Sequence, residues 1–150
     1  MNRNVEVNVT GIHSREGEPT EKVETSAEGF FEMLEDGRRV VEYDEDQDLG
    51  GSSMKIHNKV CIDADGNRME IIRGGANNST LTFGENLVYD TEYSTPYGSM
   101  QMKVITHSFD FNKGRNDEEI KVVAEYDLEL QGQVVSRSMI VIDIKNAVAN

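Results

Sequence analysis

With one cysteine in 150 residues, Cys61, the chain cannot form an internal disulfide. No apolar run approaches the roughly 20 residues that a membrane-spanning helix requires. The opening Met1-Asn2-Arg3-Asn4 has neither the apolar segment nor the cleavage pattern of a signal peptide, so a cytoplasmic protein is expected. In that compartment the Asn-x-Ser/Thr matches at Asn8, Asn77 and Asn78 are fortuitous. Cations are scarce: 15 Lys and Arg stand against 28 Asp and Glu, a net charge of −13. A field of that sign repels nucleic acid and anionic membrane, so neither is expected as a partner, and the acidity reads as a solubility surface.

Catalytic and metal-binding signatures are equally sparse. No Gly-x-Ser-x-Gly elbow is present, and Gly74-Gly75 is followed by no helix that could make a phosphate loop. His13, His57 and His107 lie far apart with no second ligand at metal spacing, and Cys61 has no thiol-enzyme motif around it. Asp44, Asp46 and Asp48 imitate the start of a calcium loop. The glycine needed at its sixth position is Leu49, however, and the acid needed at its twelfth is Lys55. Asp63, Asp65, Asn67 and Glu70 suit a hairpin turn better than a cage. Neither metal nor cofactor is expected.

What the chain does have is period-two alternation. From Leu87 to Asp110, Leu87, Tyr89, Thr91 and Tyr93 alternate with Val88, Asp90, Glu92 and Ser94. Thr95-Pro96-Tyr97-Gly98 then turns, and Met100, Met102, Val104 and Thr106 continue the pattern. The same plan recurs on both sides. Val5, Val7 and Val9 mark a first strand. Val23, Thr25, Ala27, Gly29, Phe31 and Met33 mark a second, in which Gly29 suggests a bend or bulge. After the Asp36-Gly37 turn a third strand runs from Arg39 to about Asp46, its phase obscured by Val40-Val41. Asp44 to Ser53 reads as a polar connection, with room for one helical turn near Gly50 to Ser53. Met54, Ile56, Val60 and Ile62 follow, then Met69, Ile71 and Arg73, then Leu81 and Phe83. Beyond a polar loop over Asn112 to Asp117, Ile120, Val122, Ala124, Tyr126, Leu128 and Leu130 form one face, and Ile140, Ile142 and Ile144 end the series.

The apolar share of 37% suits antiparallel sheet, in which about half of each strand meets water. Sustained helical periodicity is absent. About ten strands in neighbouring hairpins predict an all-β fold with one domain over residues 1–150. The expected form is an up-and-down antiparallel β-barrel of calycin or lipocalin proportions, which closes on itself and removes exposed edges. A two-sheet sandwich is the alternative.

Three short motifs, in this order and spacing, carry a resemblance. They are Glu28-Gly29-Phe30-Phe31 running into Val41-Glu42-Tyr43; Arg73-Gly74-Gly75 with Leu81-Thr82-Phe83; and Tyr93-Ser94-Thr95-Pro96-Tyr97-Gly98 with Met100-Gln101-Met102. Over about Val5 to Ile144 the chain resembles the YwiB-like proteins of low-GC bacteria. The resemblance implies a calycin-like barrel and no assigned activity, so it supplies no catalytic residues.

The alternation itself nominates a ligand set: Arg73, Tyr89, Tyr93, Met100 and Met102. Arg73 shares a phase with Met69 and Ile71 and so points inward. There it would either hold a ligand carboxylate or phosphate or serve as a structural clamp on a protein carboxylate. The inward tyrosines, with Met54, Met69, Met100 and Met102, either line an adaptable pocket or fill the core. Three functional readings follow. The first is a barrel that binds a small apolar or anionic molecule in its interior. The second is a solid-cored interaction module, monomer or homodimer, that uses outward Phe30, Ile72 and Val123. The third is an enzyme, for which no acid–base pair stands out.

Overall fold

The computed structural model of the chain describes residues 2–48, 51, 53–74, 79–95, 97–114 and 118–147, without the side chains of 47, 48, 53, 54 and 93–95. Its strands are β1 (Asn2–Ser14), β2 (Glu21–Met33), β3 (Arg39–Asp48), β4 (Ser53–Ile62), β5 (Arg68–Gly74), β6 (Ser79–Gly84), β7 (Val88–Thr95), β8 (Gly98–Lys113), β9 (Glu119–Leu130) and β10 (Gln133–Asn146). Among the described residues there is no helix. All ten strands form one antiparallel sheet in the order β6-β5-β4-β3-β2-β1-β10-β9-β8-β7. The end strands β6 and β7 are consecutive in sequence and lie against one another, and the Leu87 carbonyl accepts a bond from the Thr106 amide at 2.9 Å. The result is a nearly closed up-and-down barrel, and the sandwich alternative is excluded.

Alternation decides which residues enter the interior. Val5, Val7, Phe31, Val41, Val60, Ile62, Met69, Phe83, Val104, Ile120, Val122, Ala124, Ile142 and Ile144 are all buried in one core. The large rings collect at the end of the barrel that carries the β2–β3, β4–β5 and β6–β7 turns. Two arginines close that end. The Arg3 guanidinium lies 4.3 Å above the Phe31 ring, and that of Arg39 lies 5.1 Å above the Phe111 ring. Arg39 Nη1 also donates to the Ala64 carbonyl at 3.3 Å, tying the β4–β5 turn under the barrel. Gly66 in that turn has φ of +74°, and a Cβ there would collide with the Phe111 ring.

Several sequence expectations need correction. Gly29 makes no bulge: β2 is in register with β1 through this position. A side chain is excluded there because its Cβ would lie 2.8 Å from the Glu42 carbonyl oxygen and 3.1 Å from Val7 Cγ2. The Gly29–Tyr43 pair is also where the β2–β3 ladder ends. Beyond it β2 keeps only β1, and Asp44–Asp48 of β3 pairs only with β4, so the wall parts between the two strands. Asp44 to Asp48 is therefore strand rather than connection, because backbone pairing with β4 outweighs its polar composition. The helical turn expected near Gly50 falls largely outside the described residues, and Ser53 already belongs to β4. The ambiguous phase of β3 resolves with Arg39, Val41 and Tyr43 inward. Strand β8 extends to Lys113, into the expected loop.

True bulges occur on β8, where His107 is the extra residue, and on β10, where Val135 is. Exposed Phe30 and Ile72 sit on separate strands with polar or charged cross-strand partners (Asn4 and Glu42, Lys59 and Thr80), so they form no shared patch. Val123 is half-buried opposite Val141 and Asp110.

Because Gly29 packs against backbone, Gly29→Ala is expected to cost about 1–3 kcal/mol. Urea denaturation should show a lower midpoint with an unchanged slope, and an unchanged midpoint would contradict the close packing.

Candidate functional site

The opposite end of the barrel is hollow. A cavity of about 710 Å³ is bounded there by the second half of β1, the first half of β2, the facing ends of β3 to β6, and the adjoining parts of β8, β9 and β10. Its walls are mostly aliphatic, with Val9, Val23, Ile56, Ile71, Leu81 and Ile140 among the contributors. The space exists because the inward positions here hold Val, Thr, Gly, Ser and Met where the closed end holds Phe. Tyr126 marks the boundary between the halves, its ring edge-on to Phe83 with centroids 5.0 Å apart. The parting of β2 from β3 leaves Val23 and Thr25 on one side and Glu45 on the other, facing this space.

Three polar side chains on β3, β4 and β5 form one cluster in the wall. Arg73 Nη2 donates to Glu45 Oε1 at 2.7 Å and Nε donates to Asn58 Oδ1 at 3.1 Å, while Asn58 Nδ2 donates to the same Glu45 oxygen at 3.0 Å. Asn58 is 1% exposed, so its amide would be costly without these partners. Register places them together: Asn58 pairs directly with Tyr43 on one side and Arg73 on the other. The Tyr43 hydroxyl, beside them, is pushed up to about 12 by burial and by the Glu45 charge, with Arg73 acting in the other direction. At neutral pH it remains a neutral phenol able to donate a hydrogen bond.

Of the five nominated ligand residues, Arg73, Met100 and Met102 line the cavity. Tyr89 is half-buried opposite Val104 on the inner face but is not among the lining residues, because it lies deeper along β7, toward the closed end. The Tyr93 and Met54 side chains lie outside the described residues. Met69 fills the core. Arg73 has both features weighed in the sequence: it faces the interior and it is paired with a protein carboxylate. Glu45, Asn58, Ser136 and Ser138 were missed, and His13 was weighed only as a metal ligand. Each was nevertheless in phase. Tyr43 continues to Glu45, Asn58 lies between Ile56 and Val60, Val9 continues through Gly11 to His13, and Ile140 runs back to Ser138.

The histidines stay apart, each with its own partners. Among the described residues no group of three His, Cys, Asp or Glu side chains could hold a metal ion. On the outer surface, His57 Nδ1 is 2.7 Å from Asp44 and its Nε2 is 3.2 Å from Glu42, and these carboxylates hold the imidazole above its ordinary value. Also outside, Asp127 is wedged between His107 Nε2 at 2.9 Å and Arg137 Nε at 3.3 Å. Burial pushes the Asp127 carboxyl up, but the bonds from His107 and Arg137 outweigh it and hold the group below the usual carboxylate range. The β8 bulge is what turns His107 toward this aspartate. Cys61 is half-buried on the outer face of β4, where burial pushes its thiol up and away from the reactive thiolate.

The sequence profile of a domain of unknown function (DUF1934) matches residues 7–142. The crystal structure of YwiB protein from Bacillus subtilis superposes with a TM-score of 0.80, covering 98% of this chain and 94% of that one. Identity between the two is 18%, so the likeness is one of fold. No curated protein matches the chain.

Two pH responses follow from the outer clusters. Removing Asp127 as Asp127→Ala is expected to cost about 1.5–3 kcal/mol near neutral pH. Since its folded pKa is depressed, that contribution is present above the unfolded value of about 4 and fades as pH falls through the folded one. Denaturation curves of the two proteins should therefore converge in acid; a pH-independent gap would contradict the pairing. His57 acts in the opposite sense, stabilising below about pH 6.5 and losing its contribution as pH rises through its raised folded value. An NMR titration of His57 should show a raised midpoint that falls back in Asp44→Asn.

Proposed function

The chain belongs to the DUF1934 family, a domain of unknown function, and we propose that it binds a small molecule in the hollow end of its barrel. The observation that carries this reading is the combination of size and lining. A cavity of about 710 Å³ lies within the range of roughly 300–1,000 Å³ usual for small-molecule sites. Its walls are chiefly aliphatic and carry a few convergent polar groups, the composition that gives affinity through burial and orientation through hydrogen bonds. Met100 and Met102 suit an adaptable wall, because an unbranched thioether can change rotamer to fit a ligand.

Within this reading Arg73 is an orienting residue. Its Nε and Nη2 are occupied by Asn58 and Glu45, and its remaining donors are free of partners among the described residues. A ligand oxygen at the cavity wall would meet a guanidinium already held in place, so little side-chain entropy would be lost on binding. We further place the protein in the cytoplasm, on its single cysteine and acidic composition, and read its use of the interior as calycin-like. Among the described residues no helix is long and apolar enough to cross a membrane.

Native mass spectrometry of protein purified from its own host tests the reading. A discrete small mass that leaves on denaturation is expected. Arg73→Leu should lose it, and so should Met100→Trp, which fills the cavity without touching the polar cluster. Retention of the same mass by both variants would place the ligand elsewhere.

A further inference from the structure

The cavity has a second polar wall, formed by β1, β9 and β10. His13 lines the cavity and its Nδ1 is 2.8 Å from Ser138 Oγ. Ser136 Oγ is 3.2 Å from the same oxygen, and Tyr126 is the cross-strand neighbour of Ser138 on β9. Register accounts for this convergence: Ser138 is directly opposite His13 on β1 and Tyr126 on β9. A serine hydroxyl offers one donor and two acceptor positions, and Ser138 shares its own with His13 and Ser136. The free end of this chain is His13 Nε2, which has no protein partner among the described residues. The ring is folded back over Gly11, where a Cβ would approach Nε2 to 3.1 Å. In either tautomer Nε2 offers one polar function. It donates when Nδ1 accepts from Ser138 and accepts when Nδ1–H donates to it.

This wall stands nearly opposite the Arg73 cluster. Around the barrel, β4 and β10 are separated by β3, β2 and β1 in one direction and by β5 to β9 in the other. The surfaces between them are apolar, with Val23 on one side and Leu81, Met100 and Met102 on the other. Charge narrows the ligand further. Glu45 already neutralises Arg73, so an anionic group would give up its hydration without meeting a net positive charge. Resting on the binding reading above, we infer that the hollow end takes a neutral molecule with a hydrogen-bonding group at each end of an apolar midsection. One end meets His13 Nε2 and the other the Arg73–Glu45–Asn58 cluster.

Displacement of the neutral fluorophore N-phenyl-1-naphthylamine tests this, with α,ω-diols of about four to ten carbons compared with the 1-alkanols and monocarboxylates of equal length. At one chain length the diol should bind about tenfold more tightly than the alcohol, the gain of one further buried hydrogen bond. The carboxylate should bind more weakly than the alcohol. His13→Leu, or Ser138→Ala should His13→Leu fail to fold, should reduce the diol to the affinity of the alcohol while the fluorophore still binds. Equal affinity of diol and alcohol at every length, or tightest binding by the carboxylate, would overturn the inference and leave the binding reading standing. Failure of the fluorophore to bind wild-type protein would instead overturn the binding reading itself.

Discussion

Packing of aromatic rings at one end of the barrel is the constraint on which the rest of the structure depends. Phe31, Phe83 and Phe109 come from three distant strands and fill the interior where the β2–β3, β4–β5 and β6–β7 turns converge. Each fully buried aromatic ring contributes several kcal/mol through burial and contact, and its loss would leave a cavity that the surrounding strands could only partly close. Arg3 and Arg39 cap this plug with their guanidinium planes over Phe31 and Phe111. With that end fixed, ten strands are held in a ring and the other half of the barrel can remain unfilled.

The hollow half carries a different burden. Polar groups face an apolar interior, and they are tolerated because they satisfy one another. Arg73, Glu45 and Asn58 form a closed set of three bonds across adjacent strands. Ser138 is bonded to both His13 and Ser136. The networks are only partly buried, with the Arg73 side chain 41% exposed, so they add little net stability compared with an apolar packing of the same volume. Their placement on facing walls, with aliphatic surfaces between, is the geometry from which the proposed ligand class is drawn.

The outer surface uses polar groups differently. Asp127 is buried by its neighbours rather than by the core, and the two bulges at His107 and Val135 flank it on either side of β9. The bulges shift the ladder by one residue on each neighbouring strand, which lets β9 keep its alternation inward while His107 reaches Asp127 outside. His57 is exposed and answers to two surface carboxylates, a weaker arrangement screened by solvent.

The sequence by itself determined an all-β chain of about ten neighbouring hairpin strands, because a period of two is imposed by strand geometry and is legible in most segments between Val5 and Ile144. It also determined which residues share the inner face, including Arg73, Met100 and Met102. Following each phase through its polar positions would have reached Glu45, Asn58, His13 and Ser138 as well. The polarity of Asp44 to Asp48, which includes Glu45, had argued for a connection, yet backbone pairing holds a strand whether its side chains are apolar or not. What only the tertiary structure decided is where the barrel is filled and where it is empty, and which polar residues meet. Whether inward side chains fill the interior depends on their summed volume at one level across ten strands. Whether Arg73 finds Glu45 depends on the register of β3, β4 and β5. Neither quantity is local, so neither is written in any one stretch of the chain.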